Sequence, residues 1–139
     1  MGNFPKSIII DEKSNSNLKI AIIVSQWNIN ITQNLLEDTS KTLIKNGVKK
    51  SNIYEIKVPG SFELIYAAKK IGKQDFLEGQ KIDAIIVIGC IIKGETPHFE
   101  YISNSVSLGI KDLNVIINKP VIFGVLTTNN IDEAIKRST

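Results

Sequence analysis

The chain has 139 residues, of which 42% are hydrophobic and 22% charged, and its net charge is +3. This length suits one domain with a core that needs no metal or disulfide, and the mild charge argues against nucleic acid as a partner. The single cysteine excludes an internal disulfide and a Cys-x-x-Cys site. The longest apolar runs are far shorter than a membrane helix, and no secretory signal is visible. We therefore expect a reduced, cytoplasmic protein with no membrane partner.

Short β-branched runs alternate with amphipathic segments along the chain. The predicted strands cover residues 18–25, 52–58, 83–89 and 120–127. The predicted helices cover about 32–46, 61–71, 97–113 and 130–137. Asn46 and Gly47 are expected to end the first helix, since glycine is the usual residue at that position. Residues 7–11 are expected to form a separate N-terminal edge strand within an arm over 1–17, and 74–81 a polar connection.

Strands that alternate with helices predict right-handed crossovers and a four-stranded parallel sheet covered on both faces, a three-layer α/β sandwich. Ligands of such sheets bind beyond the carboxyl ends of the strands. The residues to search are therefore those that follow each strand: Trp27 and Asn28, 59–63, 90–98, and 127–130.

The exit of the third strand resembles a nucleotide-binding P-loop. Gly89 and Gly94 have the correct spacing, but Glu95 occupies the position of the lysine that holds phosphates, which excludes an ATPase. What remains is a strand-to-helix turn opened by glycine, with Thr96 as the helix N-cap and Pro97 as the first helical residue. Such a turn either binds an anion, such as one phosphate, or is only a well-made helix start.

His98, the only histidine, is predicted in the first turn of that helix. Its side chain is suited to proton transfer near neutral pH, or it is a surface histidine with a capping role. A metal site is disfavoured because there is no second histidine and Cys90 is the only thiol.

Four further residues carry two interpretations each. Trp27 offers a flat face for a planar ring, or it is a core or lid aromatic. Phe62 is more typical of a core than of a ligand contact. Glu63 accepts hydrogen bonds from ligand hydroxyls, or it is a favourable charge in a first helical turn. Arg137 is the only arginine among 17 basic residues, which indicates either chance or a site that needs a planar bidentate cation.

Five segments together resemble the 6,7-dimethyl-8-ribityllumazine synthase family, from about residue 18 to the end: Trp27-Asn28, 58–63, 89–101, 120–128 and 134–137. The resemblance implies a flavodoxin-like fold and the penultimate step of riboflavin biosynthesis. In that step, 5-amino-6-(D-ribitylamino)uracil condenses with 3,4-dihydroxy-2-butanone 4-phosphate. It implies no cofactor and no metal. It also implies a homopentamer or a 60-mer shell whose active sites are shared between adjacent subunits.

The resemblance also implies a role for individual residues. His98 matches the proton-transferring residue, and Trp27 stands where the family usually has a phenylalanine that stacks on the pyrimidine. The pyrimidine and ribityl chain are expected to contact Ser61, Phe62, Glu63, Cys90, Ile91, Ile92 and, from the neighbouring subunit, Phe123. The phosphate is expected to contact Glu95, Thr96 and the neighbour's Arg137.

Two departures from the family pattern affect these expectations. Glu95 stands where a small residue is common, so we expect its backbone N–H to bind phosphate while its carboxylate points away. The family continues after Arg137 with a Gly-Asn-Lys-Gly segment and a long helix, whereas this sequence ends at Thr139. Either that helix is not included in this sequence or the protein lacks it, and we expect one domain over 1–139. Two alternatives are a non-catalytic flavin- or lumazine-binding module and a flavin mononucleotide carrier.

Overall fold

A computed structural model describes residues 12–74, 76–77 and 79–139. The helices are α1 (Glu12–Asn15), α2 (Ile29–Lys45), α3 (Glu63–Gln74), α4 (His98–Ile116) and α5 (Ile131–Arg137). The strands are β1 (Ile20–Ser25), β2 (Ile53–Val58), β3 (Phe76–Leu77), β4 (Gln80–Lys81), β5 (Ala84–Ile92) and β6 (Val121–Thr128). The predicted edge strand at 7–11 lies outside the described residues. No helix in the described ranges is both long enough and apolar enough to cross a membrane.

Four strands form one parallel sheet in the order β2-β1-β5-β6. From β1 the chain moves outward to β2 and then returns to pair β5 against the other side of β1. The strand order therefore reverses between β1 and β5, and such a switch point is where ligands of open α/β sheets bind. The predicted α/β class, with its four-stranded parallel sheet and flavodoxin-like layers, is confirmed.

Both faces of the sheet are covered by helices, which is why its central strands are continuously apolar. On β1, Ala21 and Ile23 pack into the larger core together with residues of α3 and α4. The alternate positions, such as Ile22, pack on the opposite face with Leu36 of α2. At the carboxyl end of the sheet, Ala134 of α5 belongs to a third small cluster on the α2 side.

The strand-to-helix turn differs from the prediction at both ends. Gly89 does not open the turn but lies inside β5, paired with Val125. A Cβ atom at Gly89 would lie 2.5 Å from Ser61 Oγ, so this glycine is required by close packing rather than by a turn. The predicted N-cap Thr96 is also wrong, because the first helical turn closes on the carbonyl of Pro97, and Pro97 is the N-cap without a side-chain hydrogen bond.

The connection after α3 contains a small antiparallel ribbon that the sequence pattern did not indicate. Phe76 pairs with Lys81 and Leu77 with Gln80, and Gly79 has a φ of 75°. Strands of two residues are too short to show a period, so only the glycine signalled a turn.

The predicted end of the first helix is confirmed. Asn46 is the C-cap of α2, and Gly47 follows with a φ of 96°, which glycine adopts without steric cost. The Val48 N–H donates to the carbonyl of Leu43 at 3.0 Å, which satisfies one of the last helical carbonyls.

The tight contact between β5 and β6 predicts that two Gly→Ala substitutions will differ in their effect on the free energy of unfolding. A Cβ atom at Gly124 would lie 2.8 Å from the backbone oxygen of Val87, whereas nothing lies within 4 Å of one at Gly94. We expect Gly124→Ala to lower the free energy of unfolding by about 1–3 kcal/mol, because backbone has to move. Gly94→Ala should change it by less than about 0.5 kcal/mol. Urea unfolding measures both values, and equal effects would contradict the packing described.

Candidate functional site

A cavity of about 460 Å³ opens at the carboxyl ends of β1, β2 and β5. Its volume is in the range of sites for small organic ligands. It brings together eight residues singled out from the sequence: Trp27, Ser61, Phe62, Glu63, Cys90, Ile91, Ile92 and His98. Three more residues line it that carried no role before: Asn28, Gly60 and Ile102. Asn28 and Gly60 lie in the segments that the carboxyl-end rule selects, but Ile102, on α4, had no sequence signal beyond helical spacing.

Four residues predicted to belong to the site do not line this cavity. Glu95 and Thr96 are exposed in the loop that precedes His98. Phe123 is 44% exposed on β6 and pairs with Val87, about 10 Å along the strand from Cys90. Arg137 is exposed at the end of α5, where its Nη1 donates to the Glu133 carbonyl at 3.0 Å.

The wall formed by the end of β1 is fixed through its backbone. The Trp27 N–H donates to the carbonyl of Pro59 at 3.0 Å, and the N–H before it, of Gln26, donates to the carbonyl of Val58 at 2.8 Å. The Trp27 side chain is 72% exposed. Its indole therefore lies at the mouth of the cavity with most of its surface exposed.

The wall formed by the start of α3 shows that the two interpretations of Glu63 are compatible. The Gly60 N–H donates to Glu63 Oε2 at 2.9 Å, as in half of a capping box, so the carboxylate stabilises the helix start. Glu63 also lines the cavity. Ser61 is buried against Gly89 of β5, and Phe62 is 55% exposed, so it belongs to the cavity wall rather than the core.

The floor is the edge of β5, whose backbone groups alternate between its two neighbours. The N–H groups of Ile85 and Lys93 donate to carbonyls on the β6 side, so the backbone groups of Cys90 and Ile92 point to the β1 side. The last pair between β1 and β5 is Val24 with Ile88, and beyond it lies the cavity. The backbone N–H and C=O of Ile92 are thus directed to the cavity as a donor and an acceptor.

His98 is the first residue of α4 and is exposed at the rim of the cavity. The loop before it is bridged by an ion pair in which Lys93 Nζ lies 3.8 Å from Glu100 Oε1. Both side chains are about half exposed, so the pair stabilises the loop by less than about 1 kcal/mol.

Within the described ranges, no group of three or more histidine, cysteine, aspartate or glutamate side chains is arranged to hold a metal ion.

Comparison with known proteins shows the family of this chain. The family model for 6,7-dimethyl-8-ribityllumazine synthase matches residues 17–139. The chain belongs to this family. A 6,7-dimethyl-8-ribityllumazine synthase of Parabacteroides distasonis is 45% identical over 123 residues, which are 88% of this chain and 74% of the relative. Those of Bacteroides fragilis and Flavobacterium psychrophilum are 47% and 44% identical, over 87% and 99% of this chain and 81% and 69% of their own. The resemblance stated from the motifs is confirmed.

We expect the buried thiol of Cys90 to be unreactive in the folded chain. Burial raises its pKa, and its side chain packs with Ile31 and Ala134. Because the thiolate is the reacting form, Ellman's reagent at pH 8 should label the folded chain much more slowly than the chain in urea. Equal labelling rates would contradict the packing of this cysteine.

The same pKa shift predicts a dependence of stability on pH. Below about pH 8.5 the thiol is protonated in both states, and above it the unfolded chain loses the proton first. The free energy of unfolding should therefore fall as pH rises, by at most about 1.4 kcal/mol per unit from this group. The free energy of unfolding of Cys90→Ala, measured in urea, should lack this contribution to the pH dependence. We expect the variant to be less stable than the original chain at every pH.

Proposed function

We propose that this chain condenses 5-amino-6-(D-ribitylamino)uracil with 3,4-dihydroxy-2-butanone 4-phosphate to 6,7-dimethyl-8-ribityllumazine, releasing phosphate and water. The observation that carries the proposal is the cavity at the switch point, where one aromatic plane, the β5 edge and the only histidine meet within a fold of this family. The reaction is the penultimate step of riboflavin biosynthesis, and the enzyme is a transferase.

The chemistry requires positioning and proton transfer rather than covalent catalysis. The 5-amino group of the pyrimidine attacks the ketone and forms an imine with loss of one water. Phosphate is then eliminated, and the ribitylamino nitrogen closes the second ring on the remaining carbonyl with loss of a second water. The nucleophile belongs to the substrate, so the protein has to hold two molecules in register and move protons between them. His98, at the cavity rim, is the residue that we assign to proton transfer.

The pyrimidine subsite is proposed between Trp27 and the end of β5. An indole face stacks favourably on a planar ring. Ile92 offers a backbone N–H and C=O on the cavity side, which complement the alternating acceptors and donors of a pyrimidine edge. Cys90 and Ile91 complete this floor.

The polyol chain of the same substrate would lie along the start of α3. Ser61 and Phe62 line that wall, and Glu63 supplies the carboxylate that accepts hydrogen bonds from hydroxyl groups. The location of all three residues in one wall of the cavity supports these assignments.

The phosphate is proposed to bind at the rim, beside His98. Glu95 and Thr96 lie in the exposed loop directly before α4, and the amino end of a helix attracts anions through its unpaired N–H groups and its dipole. The Glu95 carboxylate is expected to point to solvent while its backbone N–H contacts the phosphate.

The site is proposed to be completed by a second copy of the chain. Phe123 and Arg137 do not line their own cavity, and both are accessible on the outer side of the fold. In a closed ring each subunit presents such residues to the next, which favours the homopentamer or the 60-mer shell implied by the family. A guanidinium from the neighbour would bind the phosphate with two parallel hydrogen bonds.

The proposed compartment is the cytoplasm, where thiols remain reduced.

The first test is product formation. Mixing the purified chain with both substrates should generate the absorbance and fluorescence of the lumazine faster than the uncatalysed reaction. We expect His98→Ala to lower kcat by about 100-fold or more with a smaller effect on KM, because proton transfer is lost. Asn104→Ala, an exposed change on the same helix outside the cavity, is the matched control. Riboflavin binding without product would favour the non-catalytic module instead.

The second test asks whether two chains share one site. Mixed oligomers of His98→Ala and Arg137→Ala chains should recover about one quarter of the original activity, because random pairing leaves that fraction of sites intact. A mixture of His98→Ala with Trp27→Ala is the control, since both changes fall in the same chain's cavity and no site is repaired. Absence of recovery in the first mixture would refute the shared site.

A further inference from the structure

The hydrogen-bonded ladder between β1 and β5 stops before β5 ends. Its last pair is Val24 with Ile88, four residues before the end of β5. After Ser25 the chain turns towards β2, and the Trp27 N–H donates to the carbonyl of Pro59. The backbone N–H groups that would otherwise donate to β5 therefore donate on the β2 side of β1.

The side chain of Asn28 takes the place of the missing backbone donor. Its Nδ2 donates to the carbonyl oxygen of Cys90 at 3.0 Å. Cys90 is only 1% exposed, and its carbonyl points to the β1 side, so without this amide a buried acceptor would lose its partner. Asn28 thus ties the end of β1 to the floor of the cavity.

The backbone of Asn28 is also constrained. It has φ 58° and ψ 48°, and among the residues that the structure describes it is the only non-glycine with a positive φ. Asparagine tolerates this left-handed conformation better than most residues. The Asn28 carbonyl accepts from the N–H groups of Ile31 and Thr32 at 2.9 and 3.1 Å and begins α2. One residue therefore joins the end of β1, the start of α2 and the edge of β5.

We infer that Asn28 is a positioning residue that sets the width of the slot between Trp27 and the β5 edge. The Trp27 side chain is too exposed to be located by packing, so its location depends on the backbone anchors on either side, Pro59 and Asn28. The slot is the space that a planar pyrimidine occupies, and this identification of the ligand rests on the proposed function.

Two variants separate the amide from the backbone conformation. Asn28→Gly retains the left-handed backbone but removes the donor, and Asn28→Asp retains the size but places a carboxylate oxygen against the Cys90 carbonyl. Both should raise KM for the pyrimidine by about tenfold while changing kcat less, because the ring is held less well before reaction. Asn30→Ala, an exposed change two residues away and outside the cavity, should leave both constants unchanged.

A second measurement needs no catalysis. Trp27 is the only tryptophan, so all tryptophan fluorescence comes from the slot. Both Asn28 variants should show lower emission anisotropy and faster quenching by acrylamide, whereas Asn30→Ala should match the original chain. An anisotropy equal to that of the original chain, with KM within twofold, in a folded variant would overturn the inference.

The two proposals fail in different ways. If the original chain forms no lumazine, the proposed function is refuted, yet the anisotropy of the Asn28 variants still decides whether Asn28 positions Trp27. If Asn28→Gly does not fold, Asn28→Asp provides the same comparison. Loss of far-UV circular dichroism in both would make Asn28 a residue required for folding and would overturn its specific role at the slot.

Discussion

The unequal lengths of two neighbouring strands create the cavity that we propose as the ligand site of this protein. β1 ends at Ser25, and β5 continues to Ile92, four residues beyond the last pair that the two strands form. In a parallel sheet the longer strand then presents unpaired backbone groups at its edge. The cavity occupies the space beside that edge, and its other walls come from the chain segments that leave β1 and β2.

This constraint explains how a chain with few special side chains builds a chemical site. The floor is backbone, supplied by the last residues of β5, and one wall is a helix start stabilised by the bond between Gly60 and Glu63. The aromatic plane of Trp27 and the imidazole of His98 lie at the mouth, and Phe62 and Glu63 belong to the cavity wall. Two further expected groups, Phe123 and Arg137, lie elsewhere on the same chain, and we propose that a second copy brings them to the cavity.

Much of the fold and of the cavity could be predicted from the sequence, because both depend on local rules. Buried parallel strands are continuous β-branched runs, and the carboxyl-end rule selects Trp27, Cys90 and His98 from the sequence alone. The precise turn could not be predicted: the length of β5 depends on pairing with β6, so the sequence pattern ends this strand at Gly89 instead of Ile92. The bond from Asn28 to Cys90 was also invisible, since it joins residues 62 apart in sequence. The assignment of Phe123 and Arg137 stays a prediction, because it concerns a second chain.

The close approach of Gly89 to Ser61 makes one half of the cavity less tolerant of change than the other. A Cβ atom at position 89 would lie 2.5 Å from Ser61 Oγ and 3.2 Å from Leu64 Cδ1, so side chains at the start of α3 would have to shift. Accommodation of a larger or differently substituted heterocycle has to come from the opposite half, where Trp27 and Phe62 are exposed and free to vary in size. Attempts to redirect the substrate range of this protein therefore have most to gain from libraries confined to that half.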